Sequence, residues 1–360
     1  MSSSLSNRPR QAGSPQWLAF SLGALLSLVA TELLLRPVFR EQTMNEAGYE
    51  IFTPGTTSRG FLEGFALSRW TAHGARGSGV PTNGVAPIMI VGDSFVEARQ
   101  VEDAELISAR LQETLCSNSI PNGVISLGHS GDSMAEYVRD APLVQGWFQP
   151  TWTVVVLDRG DFSEAMDPAR SAHFVQEGAS GGELVLKTRP PHRAMAGRLG
   201  ALYYGLLNHS SLCKLAWIRT HALLKWWKTE PPLFNASTHA TAPKGGEPPP
   251  RPPTGAQLQA LKNAYHGRLT ILYRSPDCAP GARACQEPLD LQVEQEARAL
   301  GISFVSLADS YPAALARGEM PTGFPNTAPF VGHWNRVGHR IAAEAVAPEL
   351  IRLHKEHGLF

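Results

Sequence analysis

The chain has 360 residues, 43% of them hydrophobic and 18% charged, with 32 basic and 32 acidic side chains. This is the composition of a globular protein, which excludes a disordered chain. The zero net charge excludes a general nucleic-acid binder, because neutralising phosphates requires a basic surplus.

Residues 1–16 are polar and carry Arg8 and Arg10. Trp17 to Leu35 is then almost wholly apolar, interrupted only by small or hydroxylated residues and by Glu32. That is the length a helix needs to cross a bilayer. Trp17 suits one interface, and Glu32 is close enough to the other end to reach headgroups. A cleaved signal peptide would have a shorter apolar core and a small-x-small site, and Ala30–Leu35 offers none. The segment is therefore expected to be an uncleaved, single-pass anchor. Arg8 and Arg10 favour a cytoplasmic amino terminus, with Arg36 and Arg40 as the opposing charges. Residues 36–85 lack strong periodicity and are expected to form a stalk and lead-in. A short strand is expected at Phe65-Ala66-Leu67 and a turn at Gly74-Ala75-Arg76-Gly77.

From residue 86 to 360 strands alternate with helices. Ile88 to Val91 is an unbroken apolar run, the mark of a strand buried on both faces. Val101 to Cys116 has helical spacing, with Glu102, Asp103 and Glu105 expected in its first turn. Gly123–Gly128 is a second strand and Ser133–Val144 a helix. Thr153–Leu157 is a third strand, Leu269–Tyr273 a fourth, Leu289–Leu300 a helix and Ile302–Val305 a fifth strand. Val337–His354 closes the chain as a helix with Ile341, Ala345, Val346, Leu350 and Leu353 on one face. This alternation predicts an α/β fold of three layers, α/β/α, around a central parallel sheet. Two stretches interrupt it. Residues of about 190–228 have a helical pattern with Trp217, Trp226 and Trp227 and are expected to form an insertion capping the sheet. Residues of about 229–256 are proline-rich and are expected to form a flexible loop.

The chemistry-bearing residues fall at the ends of strands. Gly92-Asp93-Ser94 follows the first strand and precedes a helix, so Ser94 stands at a strand-to-helix turn on the carboxyl edge, where open α/β sheets place their sites. As ordinary turn formers, Asp93 and Ser94 would need no further explanation. His333, in Gly332-His333-Trp334-Asn335, precedes the last helix, which Asn335 is placed to cap. A serine at one such turn and a histidine at another can meet as nucleophile and base. Cys278 and Cys285 bracket a short turn-rich loop and are expected to pair if the domain lies outside the cytoplasm. Their spacing is not that of a zinc site, and no metal or other cofactor is expected. Cys116 and Cys213 are expected to be small apolar residues in helices.

Taken in order, the blocks resemble those of the SGNH/GDSL hydrolase family. Gly92-Asp93-Ser94-Phe95 is similar to its first block. Gly128-His129-Ser130-Gly131 is similar to the second, whose glycine N–H serves an oxyanion hole. Arg159-Gly160-Asp161 lies where the family carries its third, and Gly332–Asn335 with Gly338-His339 resembles the last. The resemblance covers roughly residues 65–165 and 265–350. It implies a flavodoxin-like SGNH hydrolase fold, Ser94 as nucleophile and His333 as base. It also implies an oxyanion hole from Ser94, Gly131 and the position of Gly160, with Asp93, Asp158, Arg159, Asp161 and Asn335 as supporting residues. Two departures stand out: Gly160 replaces the donor asparagine, and Phe330 replaces the aspartate three residues before the histidine. Restoring Asn at 160 is expected to raise activity or leave it unchanged. An anchor followed by such a domain is similar to bacterial envelope members that add or remove acyl groups on polysaccharides. The implied activity is ester hydrolysis on acylated carbohydrate, with O-acyl transfer or carbohydrate binding within polysaccharide machinery as alternatives. The implied place is the inner membrane, with the domain facing the periplasm or exterior.

Overall fold

A computed structural model of the chain describes residues 15–39, 42–44, 50–60, 63–77, 86–177, 183–188, 210–213, 215–216, 220, 252–274, 287–327 and 332–358. Contacts divide it into two units, Met1–Arg40 with Gly197–Ser237, and Glu41–Ala196 with Thr238–Phe360.

In the first unit the N-terminal apolar run forms helix α1, Pro15–Phe39, of 25 residues. Its side chains are described for Trp17 and for residues 19–35. Among residues so described, no helix is long and apolar enough to cross a membrane. What is described is apolar and outward-facing, with Trp17 and Phe20 each 71% exposed and Leu34 78%. Glu32 accepts hydrogen bonds from the Ser210 hydroxyl at 3.1 Å and from the backbone N–H groups of Ser211 and Leu212 at 3.0 Å each. The part of the 190–228 insertion that is described thus meets α1, and the insertion's unit is that of α1. The tryptophans Trp217, Trp226 and Trp227 lie outside the described residues, as does most of the proline-rich loop.

The second unit opens with short strands in the segment expected to be a stalk: β1 (Gln42–Met44), β2 (Glu50–Phe52), β3 (Thr57–Gly60), β4 (Ala66–Arg69) and β5 (Arg76–Gly77). β3 and β4 form an antiparallel hairpin. Arg76 and Gly77 are strand, not turn: β5 pairs with the central sheet. That sheet also contains β6 (Ile88–Gly92), β7 (Val124–Gly128), β8 (Trp152–Leu157), β11 (Arg268–Tyr273) and β12 (Ser303–Ser306), and the order is β12-β11-β8-β6-β7-β5. All neighbours pair in parallel except β5, which runs antiparallel to β7. The sheet is therefore mixed, correcting the parallel sheet expected. A two-residue edge strand in an aperiodic segment leaves no apolar run to read.

The alternation within each strand explains the layers. Ile88 and Ile90 of β6, with Val154 and Val156 of β8, pack on one face beneath helices α3 (Ile107–Ser117), α8 (Ser310–Ala316) and α9 (Arg336–His357). Met89, Val91, Val155 and Leu157 pack on the other beneath α4 (Met134–Phe148), α6 (Thr254–Ala264) and α7 (Pro288–Ala299). Both faces are covered, so the strands read as continuous apolar runs. Burying each such aliphatic side chain is worth about 1.5–3 kcal/mol. A second hairpin of β9 (Ala172–Gln176) and β10 (Leu184–Thr188) lies outside this sheet. Helix α6 follows the proline-rich loop where no element was expected.

Helix α3 begins at Ile107, later than the periodicity suggests. Glu102 and Asp103 are accordingly not in its first turn. They bind the hairpin instead, Glu102 accepting the Leu67 N–H at 3.1 Å and Asp103 the Arg69 N–H at 3.0 Å.

Candidate active site

β6 delivers its carboxyl end directly into helix α2 (Ser94–Glu97), a single turn. The Asp93 carboxylate caps it by accepting the Phe95 N–H at 2.9 Å. Ser94 therefore occupies the first helical position, where N–H groups lack an intrahelical partner. The loop before α9 is built with equal economy. Asn335 accepts the N–H groups of Val337 and Gly338 at 2.8 and 3.3 Å. Its amide nitrogen donates to the carbonyls of Met320 and Gly323 at 2.8 and 3.0 Å. Trp334 is fully buried, and its ring meets Phe95 edge-on at 5.3 Å between centroids.

These two supports bring Ser94 and His333 together. The Ser94 hydroxyl lies 2.8 Å from His333 Nε2. On the other side of the ring, Nδ1 lies 2.5 Å from Glu63 Oε2, and the same oxygen accepts the His333 backbone N–H at 3.3 Å. Holding Nδ1–H on a carboxylate leaves Nε2 bare to accept the serine proton. Glu63 comes from the lead-in, before any residue that carries a recognisable block. Phe330, three residues before His333, lies outside the described residues.

The second block closes a turn in which Asp132 N–H donates to the His129 carbonyl at 3.1 Å. Gly131, exposed on this turn at φ +86°, has nothing within 4 Å of where a Cβ would stand. A carbonyl oxygen can approach its N–H closely. The His129 ring is held by Asp132 at 2.8 Å, and the Ser130 hydroxyl donates to Glu97. Burial pushes the Asp132 carboxyl up to about 6, against the pull of His129.

The third block behaves differently. Helix α5 (Arg159–Glu164) is capped by Asp158, whose Oδ1 accepts the Gly160 N–H at 2.6 Å. In this arrangement the Gly160 N–H is turned to its own cap and not toward an incoming oxygen. Arg159 pairs with Glu287 at 2.5 Å and Asp290 at 3.4 Å. Asp161 is buried, accepting the Asp158 N–H at 2.6 Å and the Tyr137 hydroxyl at 3.3 Å. Burial raises the Asp161 carboxyl well above its ordinary range, and the charges of Asp158 and Asp93 add to this. Asp93 is raised in the same direction, chiefly by burial. The cation facing this cluster is Arg274, which pairs with Asp158 and sits 4.0 Å above the centre of the Phe95 ring.

Asp93, Ser94, Asp158, Asp161, His333 and Asn335 thus meet at one edge, joined by Glu63 and Arg274, which reading the sequence did not single out. Arg159 is engaged by Glu287 and Asp290. Cys278 and Cys285 lie outside the described residues. Cys116 and Cys213 are free thiols, and Cys116 is exposed where an apolar packing position was expected. Among the described residues no group of three or more His, Cys, Asp or Glu is arranged to hold a metal.

No family model and no curated protein matches the chain. Solved structures do resemble it. TesA is 13% identical over 76% of this chain and 99% of its own, with a TM-score of 0.36. A catalytic mutant of Axe2, an acetylxylan esterase from Geobacillus stearothermophilus, is 12% identical over 75% and 96%, with a TM-score of 0.35. A member of the lipolytic protein G-D-S-L family from Veillonella parvula is 12% identical over 75% and 100%, with a TM-score of 0.34. At these identities and scores the likenesses decide nothing about substrate. In this chain Gly92-Asp93-Ser94, Gly128–Gly131 and Gly332–Asn335 follow one another in that order, and Ser94 and His333 meet at one sheet edge.

Proposed function

We propose that the protein is a serine ester hydrolase of the SGNH/GDSL type, a carboxylic ester hydrolase acting on acyl esters of envelope carbohydrate. The observation that carries this is the unbroken run of contacts from Ser94 Oγ to His333 Nε2 at 2.8 Å and from His333 Nδ1 to Glu63 at 2.5 Å. A serine hydroxyl becomes a nucleophile when a base takes its proton. His333 takes that proton as Ser94 Oγ bonds to the ester carbonyl carbon, and the imidazolium is held against the Glu63 carboxylate. The negative charge formed on the carbonyl oxygen is received by the N–H groups of Ser94 and Gly131. Collapse of this intermediate expels the alcohol, protonated by His333, and leaves an acyl-serine. Water, deprotonated by the same imidazole, then releases the acid.

The anchor belongs to the same reading. Helix α1 presents apolar side chains to its surroundings, and its one internal carboxylate, Glu32, is satisfied by Ser210, Ser211 and Leu212. We place the amino terminus in the cytoplasm and the hydrolase domain outside the inner membrane. A cytoplasm-dependent reporter fused at Phe360 is expected to be silent.

The test of the activity is hydrolysis of a small acetyl ester and of acetylated glycans by the full chain and by Ser94→Ala. Wild-type turnover and its loss in the variant are expected. Equal turnover by both proteins would remove Ser94 from the chemistry, and a carbohydrate-binding role would replace the enzymatic one. Acyl transfer to a sugar hydroxyl in preference to water would assign the same residues to an acyltransferase.

A further inference from the structure

Glu63 lies 270 residues before His333, in a segment preceding the first strand of the domain's repeating pattern. Its backbone is gripped at the next residue. The Asn326 side chain accepts the Gly64 N–H at 2.7 Å and donates to the Gly64 carbonyl at 3.4 Å. Gly64 has φ +67°, and a Cβ there would lie 2.7 Å from both Phe324 Cδ1 and the Gln100 carbonyl oxygen. Only a glycine lets the chain lie this flat against Phe324 and within reach of the Asn326 amide. A matching glycine serves the far side of the contact. Gly332 has φ +92°, and a Cβ on it would stand 2.7 Å from Glu63 Oε1. The carboxylate thus rests directly over the backbone of the histidine loop.

The hairpin that carries Glu63 is fastened to both arms of the site. Through Glu102 and Asp103, which accept the Leu67 and Arg69 N–H groups, it is tied to the loop that follows the nucleophile helix. Through Asn326 it is tied to the stretch that leads into His333. Asn326 is the one of these ties that touches the residue bonded to Glu63.

We propose that Asn326 is the positioning residue of the site: its amide clamp on Gly64 sets the Glu63 carboxylate against His333, so that a hairpin from the lead-in supplies the acid missing at Phe330. This rests on the ester-hydrolase reading. It adds that the lead-in is a working part of the site and that Asn326 acts on the reaction through Glu63. An isolated carboxylate on a surface loop would sample many rotamers. The clamp, and the two N–H donors of His333, hold it in one.

The consequence is a coupling that a double-mutant cycle can read. Displacing a catalytic group by about an ångström costs roughly a hundredfold. Asn326→Ala is therefore expected to lower kcat about ten- to a hundredfold with KM changed less than about twofold. Glu63→Gln is expected to lower kcat by up to about ten-thousand-fold, as for loss of the carboxylate in other serine triads. In the Glu63→Gln background, Asn326→Ala should cost less than about twofold, since nothing remains to position. Asn326→Asp keeps the acceptor for the Gly64 N–H and should recover part of the loss; urea midpoints of each variant separate misplacement from unfolding.

A second readout does not depend on turnover. The His333 Nδ1 proton, held on a carboxylate at 2.5 Å, should give a far-downfield proton resonance in the full chain. It should persist in Ser94→Ala and be lost or moved upfield in Glu63→Gln and in Asn326→Ala. If Asn326→Ala keeps the resonance, or costs the same factor with and without the Glu63 carboxylate, Asn326 is no positioning residue and the proposal falls. Failure of the esterase reading looks different: no turnover in the wild type, with the resonance still responding to Asn326.

Discussion

Arg76 offers a quantitative test of how the nucleophile's surroundings are held. Its side chain is only 1% exposed. Nη1 donates to the carbonyl of Glu97 at 2.9 Å and to that of Ala98. Nη2 donates to the Val101 carbonyl at 2.8 Å and to Asp103 at 2.7 Å. These carbonyls end the turn that carries Ser94 and open the loop toward α3. Burial lowers the Arg76 pKa, and Asp103 opposes that by bond and charge. Arg76→Met fills most of the volume but removes the guanidinium donor from the carbonyls of Glu97, Ala98 and Val101, of which Ala98 keeps the Val101 N–H. Hydrogen bonds to a charged group are worth about 1.5–3 kcal/mol each. Asp103 is 32% exposed and regains water, which trims the loss. The expected destabilisation is about 3–5 kcal/mol, the range for breaking one side of a buried ionic contact. Arg76→Lys should recover less than half of it, since an ammonium cannot span carbonyls spread over five residues. Urea denaturation of the full chain, followed by tryptophan fluorescence, measures both. A loss below about 1 kcal/mol for Arg76→Met would mean that water replaces the guanidinium freely, and the clamp would have no standing in the fold.

Two further outcomes follow from the same geometry. Gly160→Asn is expected to lower turnover of an acetyl ester or leave it unchanged, where the sequence suggested a rise or no change. A Cβ there stands 2.8 Å from Asp158 Oδ1, so the new side chain first has to displace the helix cap; turnover above wild type would show that the amide reaches the oxyanion. His339 is buried and its pKa is lowered to about 3, first by burial and then by the charges of Arg76 and His333. The unfolded chain takes up that proton below about 6.5 while the folded chain refuses it, so stability is lost as pH falls from about 6.5 toward 3. His339→Gln should flatten that slope in urea midpoints taken across the range, and an unchanged slope would place the acid sensitivity elsewhere.

What the sequence determined by itself are the features written in neighbouring residues. Ile88–Val91 and Thr153–Leu157 read as buried strands because both faces of the sheet are covered. Asn335 read as a helix cap, because capping needs only a side-chain oxygen within three residues; that Asp93 caps α2 came from the structure. Ser94 and His333 could be paired in advance because parallel strands bring their carboxyl ends to one edge. The lead-in was illegible for the opposite reason. The two residues of β5, the hairpin of β3 and β4, and Arg76 take their meaning from partners in β7 and the 97–103 loop. Glu63 is the extreme case. An isolated Glu-Gly in an aperiodic stretch has no local property that marks it as an acid for His333, and only the packing of the hairpin against Phe324 and Asn326 brings the two together. The loss at Gly160 was visible as a missing amide, but the capture of its N–H by Asp158 was not. Asp158 lies only two residues away, but its capping role shows only once a helix starts at Arg159, and a helix of six residues is too short to announce itself by periodicity.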